Sequence, residues 1–80
     1  MPTSAVKFDA TAIDAAVTDD RLTVILADGR ELSAPLAWFP RLLEATDEQR
    51  RNWRFIGRGQ GIHWPDIDED ISVASLLRAV

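Results

Sequence analysis

The residues most able to do chemistry gather near the C-terminus, where His63 is followed by Asp66, Asp68, Glu69 and Asp70. An imidazole with several carboxylates is a donor set for a divalent cation, or an acid and a base for hydrolysis. The spacing from Asp66 to Asp70 loosely matches the start of a calcium loop. It lacks the glycine at the sixth position and the glutamate at the twelfth, which fall on Ile71 and Leu77. The plainer reading places these acids at the head of a terminal helix, where each gains about 0.3–1 kcal/mol from the helix dipole. The expectation is therefore no metal, no cofactor and no catalytic residue. A metal-dependent or acid–base enzyme built on His63 and Asp66–Asp70 is the alternative.

Arg50, Arg51, Arg54 and Arg58, with Trp53 among them, form the basic concentration of the chain. Arginines interleaved with an aromatic can grip phosphates and stack on bases. Nine basic residues against thirteen acidic ones give a net charge of −4, which argues against a general nucleic-acid binder. Pairing of these arginines with the acids at 66–70, within the chain or on a neighbouring copy, is the simpler reading. Gly57, Gly59 and Gly61 run G-x-G-x-G into a strand-like Ile62-His63-Trp64. A dinucleotide fingerprint needs G-x-G-x-x-G opening a helix, so these glycines read as a turn. Ser4, Ser33, Ser72 and Ser75 lack a nucleophile elbow, and a single histidine would have to serve any triad. Trp38, Trp53 and Trp64 suit a core, but tryptophan and arginine are also the types enriched at binding hot spots.

The elements that must position these residues follow from pattern. Ile13, Ala15 and Val17 alternate with Asp14, Ala16 and Thr18, the period of a half-buried strand. The run Arg21–Ala27 is apolar and β-branched, and Asp28-Gly29 is a hairpin signal. Parity sets the loop length. A loop of Ala27-Asp28-Gly29 with Gly29 left-handed puts Leu22, Val24, Leu26, Leu32 and Ala34 on one face, so it is preferred over a two-residue loop. Pro35 ends the strand, and Pro40 opens a short helix over Arg41–Glu44. Thr46-Asp47-Glu48-Gln49 has the form of a capping box for a second helix to about Trp53. Phe55-Ile56 and Gly61–Trp64 read as a strand pair. Ser72 then caps a helix whose Val73, Leu76, Leu77 and Val80 form one apolar stripe. The expected fold is a two-layer α+β domain over residues 1–80, with an antiparallel sheet of four or five strands and two or three short helices.

Composition bounds the rest. Eighty residues allow one small domain, marginal unless something helps it, and zero cysteines exclude disulfides and thiol nucleophiles. Charge is zoned: three basic residues against six acids over 1–40, five against three over 41–58, and one against four over 59–80. The stretch from Met1 to Lys7 lacks a charged head and apolar core, so no leader is expected, and no apolar run suffices for a membrane span. A cytoplasmic location is expected.

Several strings carry a family resemblance. They are Asp28-Gly29-Arg30, Pro35-Leu36-Ala37-Trp38-Phe39-Pro40-Arg41-Leu42-Leu43 with Ala45-Thr46, and Gly61-Ile62-His63-Trp64-Pro65 through Asp66-Ile67-Asp68-Glu69-Asp70-Ile71-Ser72-Val73 to Leu76-Leu77. The chain resembles the bacterial family called domain of unknown function 2442 over nearly its whole length. The resemblance implies a small α+β domain and supplies no catalytic residues. Some relatives continue into a helix-turn-helix domain. This sequence ends three residues after Leu77, so DNA binding is not expected to carry over. Some relatives are encoded beside another small protein, as in toxin–antitoxin pairs, which implies a protein partner.

Together these readings predict a non-enzymatic interaction module, regulatory or antitoxin-like, that binds another protein or itself. Its candidate surface comprises Trp38, Arg41, Arg50, Arg51, Trp53, Arg54, Arg58, His63, Trp64, Asp66, Asp68, Glu69 and Asp70. Nucleic-acid binding through Arg50–Arg58 is a further alternative.

Overall fold

The apolar alternation of residues 21–34 becomes the first sheet of the computed structural model, which describes residues 7–80. Strands β1 (Ala12–Val17), β2 (Arg21–Leu26) and β3 (Glu31–Pro35) form an antiparallel sheet in that order. Leu22 faces Ala34 and Val24 faces Leu32, the register of the three-residue loop. Gly29 takes a φ of +93° in that loop, and the Leu26 amide donates to the Arg30 carbonyl at 2.9 Å. The expected inward face, Leu22, Val24, Leu26, Leu32 and Ala34, is buried.

Asp28 holds this hairpin to the chain preceding β1. Its carboxylate accepts from the backbone amides of Arg30 (3.0 Å) and Asp9 (2.9 Å), and from the Arg30 guanidinium at 2.8 Å. The Arg30 hydrogen bonds are the main reason its carboxyl is held down at about 2, with the Asp9 amide adding to them and partial burial opposing. Arg30 also lies over the Phe8 ring, 5.1 Å from its centre.

The first strand departs from its expected pattern. Pairing slips between Ala12 and Asp14, so Ile13 is an extra, bulged residue and stands 56% exposed. Ala12 is buried in its place, because the bulge reverses which side chains face inward on its N-terminal side, while Ala15 is buried as expected. The reading of the stretch from Met1 as lacking a leader lies, for residues 1–6, outside the described residues.

A 3-10 turn (Leu36–Trp38) leads to helices α1 (Pro40–Leu43) and α2 (Asp47–Arg51). Pro40 begins α1, where its missing amide hydrogen costs nothing. The capping box is complete: Thr46 Oγ1 accepts from the Gln49 amide, and the Gln49 side chain accepts from the Thr46 amide. Helix α2 stops at Arg51, two residues short of Trp53.

The fold class is α+β, with six strands in two three-stranded sheets rather than four or five in one. The second sheet is β4 (Arg54–Ile56), β5 (Gly61–Trp64) and β6 (Glu69–Ser72), again antiparallel and in chain order. Strand β6 is the unanticipated one, formed by the acidic stretch read as a helix head. Only Ile71 of its four residues is buried, so its periodicity is faint. Pairing with the buried β5 makes it a strand: Ile71 faces Ile62 and Asp70 faces His63. The first turn of α3 (Val73–Ala79) accordingly holds no acid, and Ser72 caps it by accepting from the Ser75 amide at 3.0 Å. Val73 and Leu76 are buried, whereas Val80 ends the stripe exposed.

One cluster joins both sheets, with Leu22, Val24, Leu26, Leu36, Leu42, Ile62 and Trp64 fully buried. Each contributes at most about 1.5–3 kcal/mol relative to exposure. The sheets also meet through the turn after β4, where the Ala12 amide donates to the Gly59 carbonyl at 2.8 Å. Among the described residues, no helix is long and apolar enough to cross a membrane.

Candidate interaction surface

Pairing across β4, β5 and β6 aligns Arg54, His63 and Asp70 in one row. His63 Nδ1 hydrogen-bonds Asp70 Oδ1, an imidazole oriented by a carboxylate. That arrangement suits a base with its positioning partner, but the neighbouring Ser72 hydroxyl is already engaged with Ser75 Oγ at 2.7 Å. The other acids splay apart. Asp66 accepts from the Asn52 side-chain amide at 2.9 Å, and Glu69 accepts from the Asp70 amide at 3.0 Å. Asp68 takes a φ of 51° in the turn before β6 and receives Arg41 on its backbone carbonyl, not its carboxylate. Among the described residues, no three His, Asp or Glu side chains are placed to share a metal ion.

The arginines separate into two kinds. Arg50 is 8% exposed and turns inward from α2. Its Nε donates to the Leu42 carbonyl (3.0 Å), which also accepts from the Ala45 amide, and its Nη2 donates to the Leu43 carbonyl (2.9 Å) at the end of α1. Its charge faces Asp19 at 3.2 Å and Asp47 at 3.5 Å. Arg51, Arg54 and Arg58 are exposed and make no ion pair among the described residues. The expected pairing of the arginines with the acids at 66–70 is thus not formed within the chain. Asp70 pairs with His63 instead, because β-register and not charge decides which side chains meet.

The tryptophans divide similarly. Trp64 is fully buried and donates its indole N–H to the Arg50 carbonyl at 3.1 Å, so Trp64 and Arg50 are framework and not surface. Trp53 is half-buried and meets Phe55 edge-on, with ring centres 5.0 Å apart. Trp38 is exposed on its 3-10 turn.

The surface also contains residues that motif reasoning passed over. Phe55 and Ile56 are 37% and 38% exposed on β4, and every β4 residue is exposed. The available signal was position: Phe55-Ile56 opens the second set of strands, and the first strand of a sheet paired in chain order is an outer one. Beside Ile56 a groove of about 750 Å³ runs past Gln60, Asp70 and Ser72 to Val73 and Leu77.

Comparison with known proteins agrees with this architecture. No curated protein matches the chain. A protein of unknown function from Rhodospirillum rubrum ATCC 11170, known from a crystal structure at 2.75 Å, superposes with a TM-score of 0.73. It is 28% identical, and the match covers 88% of this chain and 87% of that one. A family model described as protein of unknown function (DUF2442) matches residues 12–80, which contain all of the elements above. The chain therefore belongs to the DUF2442 family.

Proposed function

We propose that this protein is a small non-enzymatic interaction module whose working surface is centred on β4. One observation carries this reading: Phe55 and Ile56 are displayed on an edge strand beside Arg51, Arg54 and Arg58, which have no acidic partner among the described residues. Exposed phenylalanine and arginine side chains together are types enriched at protein interfaces. A regulatory or antitoxin-like partnership, suggested by the family resemblance, is one form of this role. A cytoplasmic location fits a chain without cysteine.

Photocrosslinking tests the reading. A photoreactive phenylalanine analogue at position 55, in cells that express the protein, is expected to trap a discrete protein adduct. The same analogue at exposed Ala16 is expected to trap none. Equal labelling from both positions, or none from position 55, would overturn it.

A further inference from the structure

The structure leads us to propose that β4 is a docking edge for an extended acidic segment of a partner protein, which joins the second sheet as a fourth strand. This rests on the interaction-module reading and names the chemistry of the partner.

Edge strands expose unpaired backbone groups, and proteins usually blunt them. The other edges of this fold carry such devices. Strand β1 has its bulge at Ile13, β3 ends in Pro35, and β6 bears Glu69 and Asp70 before running into α3. Strand β4 is short and carries the charge of Arg54, but it has neither proline nor bulge: Arg54, Phe55 and Ile56 pair without interruption with His63, Ile62 and Gly61. It is the outer strand of its sheet and exposed at every position.

Alternation along β4 specifies the incoming strand. Arg54 and Ile56 point to the His63 face, while Phe55 points to the Ile62 face beside Trp53. A complementary strand carries an acid opposite Arg54, apolar residues opposite Phe55 and Ile56, and further acids reaching Arg51 and Arg58. Backbone pairing supplies attachment and alternate side chains supply selectivity, as in strand addition generally.

A second copy of this chain fits less well. Two β4 edges placed together bring two sets of arginines into proximity. Pairing the basic β4 edge with the acidic β6 edge of another copy is head-to-tail and leaves a free edge on each end, so it makes a ring or a growing filament and not a closed pair.

The probe is a fluorescent heptapeptide with a Val-Ile-Val centre and two acidic residues on each side, titrated into the full chain by anisotropy and by amide NMR. Saturable binding that weakens with salt is expected, with shifts concentrated at residues 54–56. Arg54→Glu and Arg58→Glu should each weaken binding about tenfold while leaving the melting temperature near wild type, since both side chains are exposed. The proposal is overturned by equal binding of a lysine-flanked peptide, by unchanged affinity in both variants, or by shifts that map to Ser72 and Val73. Displacement of the peptide by a single-stranded oligonucleotide of higher affinity would overturn it in favour of nucleic acid. Failure of the peptide with a protein adduct still forming at position 55 removes this inference alone; failure of both removes the module reading as well.

Discussion

Trp64 donates its indole N–H to the carbonyl of Arg50 at 3.1 Å, joining the centre of the second sheet to α2. The Arg50 guanidinium continues the link by donating to the carbonyls of Leu42 and Leu43. Strand β5 and both short helices are thereby tied through two residues. Helices of four and five residues are too short to persist alone, so this strap and the core beneath it hold them in place.

Arg50→Met is expected to lower stability by about 2–3 kcal/mol, because the Leu43 carbonyl loses its donor and the Leu42 carbonyl loses a charged one, keeping only a backbone amide. Arg50→Lys should recover less than half of that loss, since an ammonium lacks the planar fork that reaches both oxygens. Trp64→Phe removes the indole donor and some volume, and should cost about 2–4 kcal/mol. A domain of this size has only about 4–12 kcal/mol in total. Urea unfolding measures all three; an unchanged midpoint for Arg50→Met would remove the strap from the account.

Acid should weaken the fold through Asp28. Its folded value of about 2 lies below the ordinary 3.8, so the stabilisation is complete above about pH 4–5 and drains away as pH falls towards 2. Asp9, held down by its hydrogen bonds to Thr11, titrates with the same sign. Asp28→Asn should be less stable than wild type at neutral pH, and the gap should close near pH 2. Thermal unfolding across pH 2–7 checks this, and a constant gap would contradict it.

Two glycines separate backbone strain from crowding. At Gly29, with φ of +93°, an added Cβ meets nothing within 4 Å. Gly29→Ala should therefore cost only the left-handed penalty, about 1–2 kcal/mol. At Gly59, with φ of +83°, a Cβ would lie 2.5 Å from Thr11 Cγ2 and 2.7 Å from the Ala12 carbonyl oxygen. Gly59→Ala carries the same penalty plus a clash with backbone, and should cost more than about 3 kcal/mol. Equal losses at the two positions would mean the contact between the sheets yields easily.

Divalent cations should leave the protein unaffected. His63 is committed to Asp70, and Asp66 and Glu69 are engaged separately. Millimolar Mg²⁺, Ca²⁺ or Zn²⁺ is expected to shift the melting temperature by less than about 1 °C, because a ligand stabilises only what it binds. A clear upward shift in chelator-treated protein would revive a metal site.

Local chemistry was legible in the chain itself. The three-residue hairpin loop, Pro40 at the start of α1, the Thr46–Gln49 box and the Ser72 cap each depend on residues a few positions apart. A short-range pattern suffices where the partner groups are short-range. The family resemblance was equally legible, because its strings are contiguous.

The tertiary structure alone decided which of the charged and aromatic residues face solvent. Arg50 and Arg51 are adjacent and chemically identical, yet one is buried on carbonyls from α1 and the other is free, a difference set by where α2 packs. Trp64 and Trp53 divide for the same reason. The acids at 66–70 offered too little apolar alternation to reveal a strand, and it took β5 to recruit Glu69–Ser72. His63 and Asp70, grouped in the sequence as one candidate cluster whose acids were expected to head a helix, meet instead across two strands. What brought them together was cross-strand register seven residues apart, and that same register sends Arg54 to the open edge beside Phe55 and Ile56.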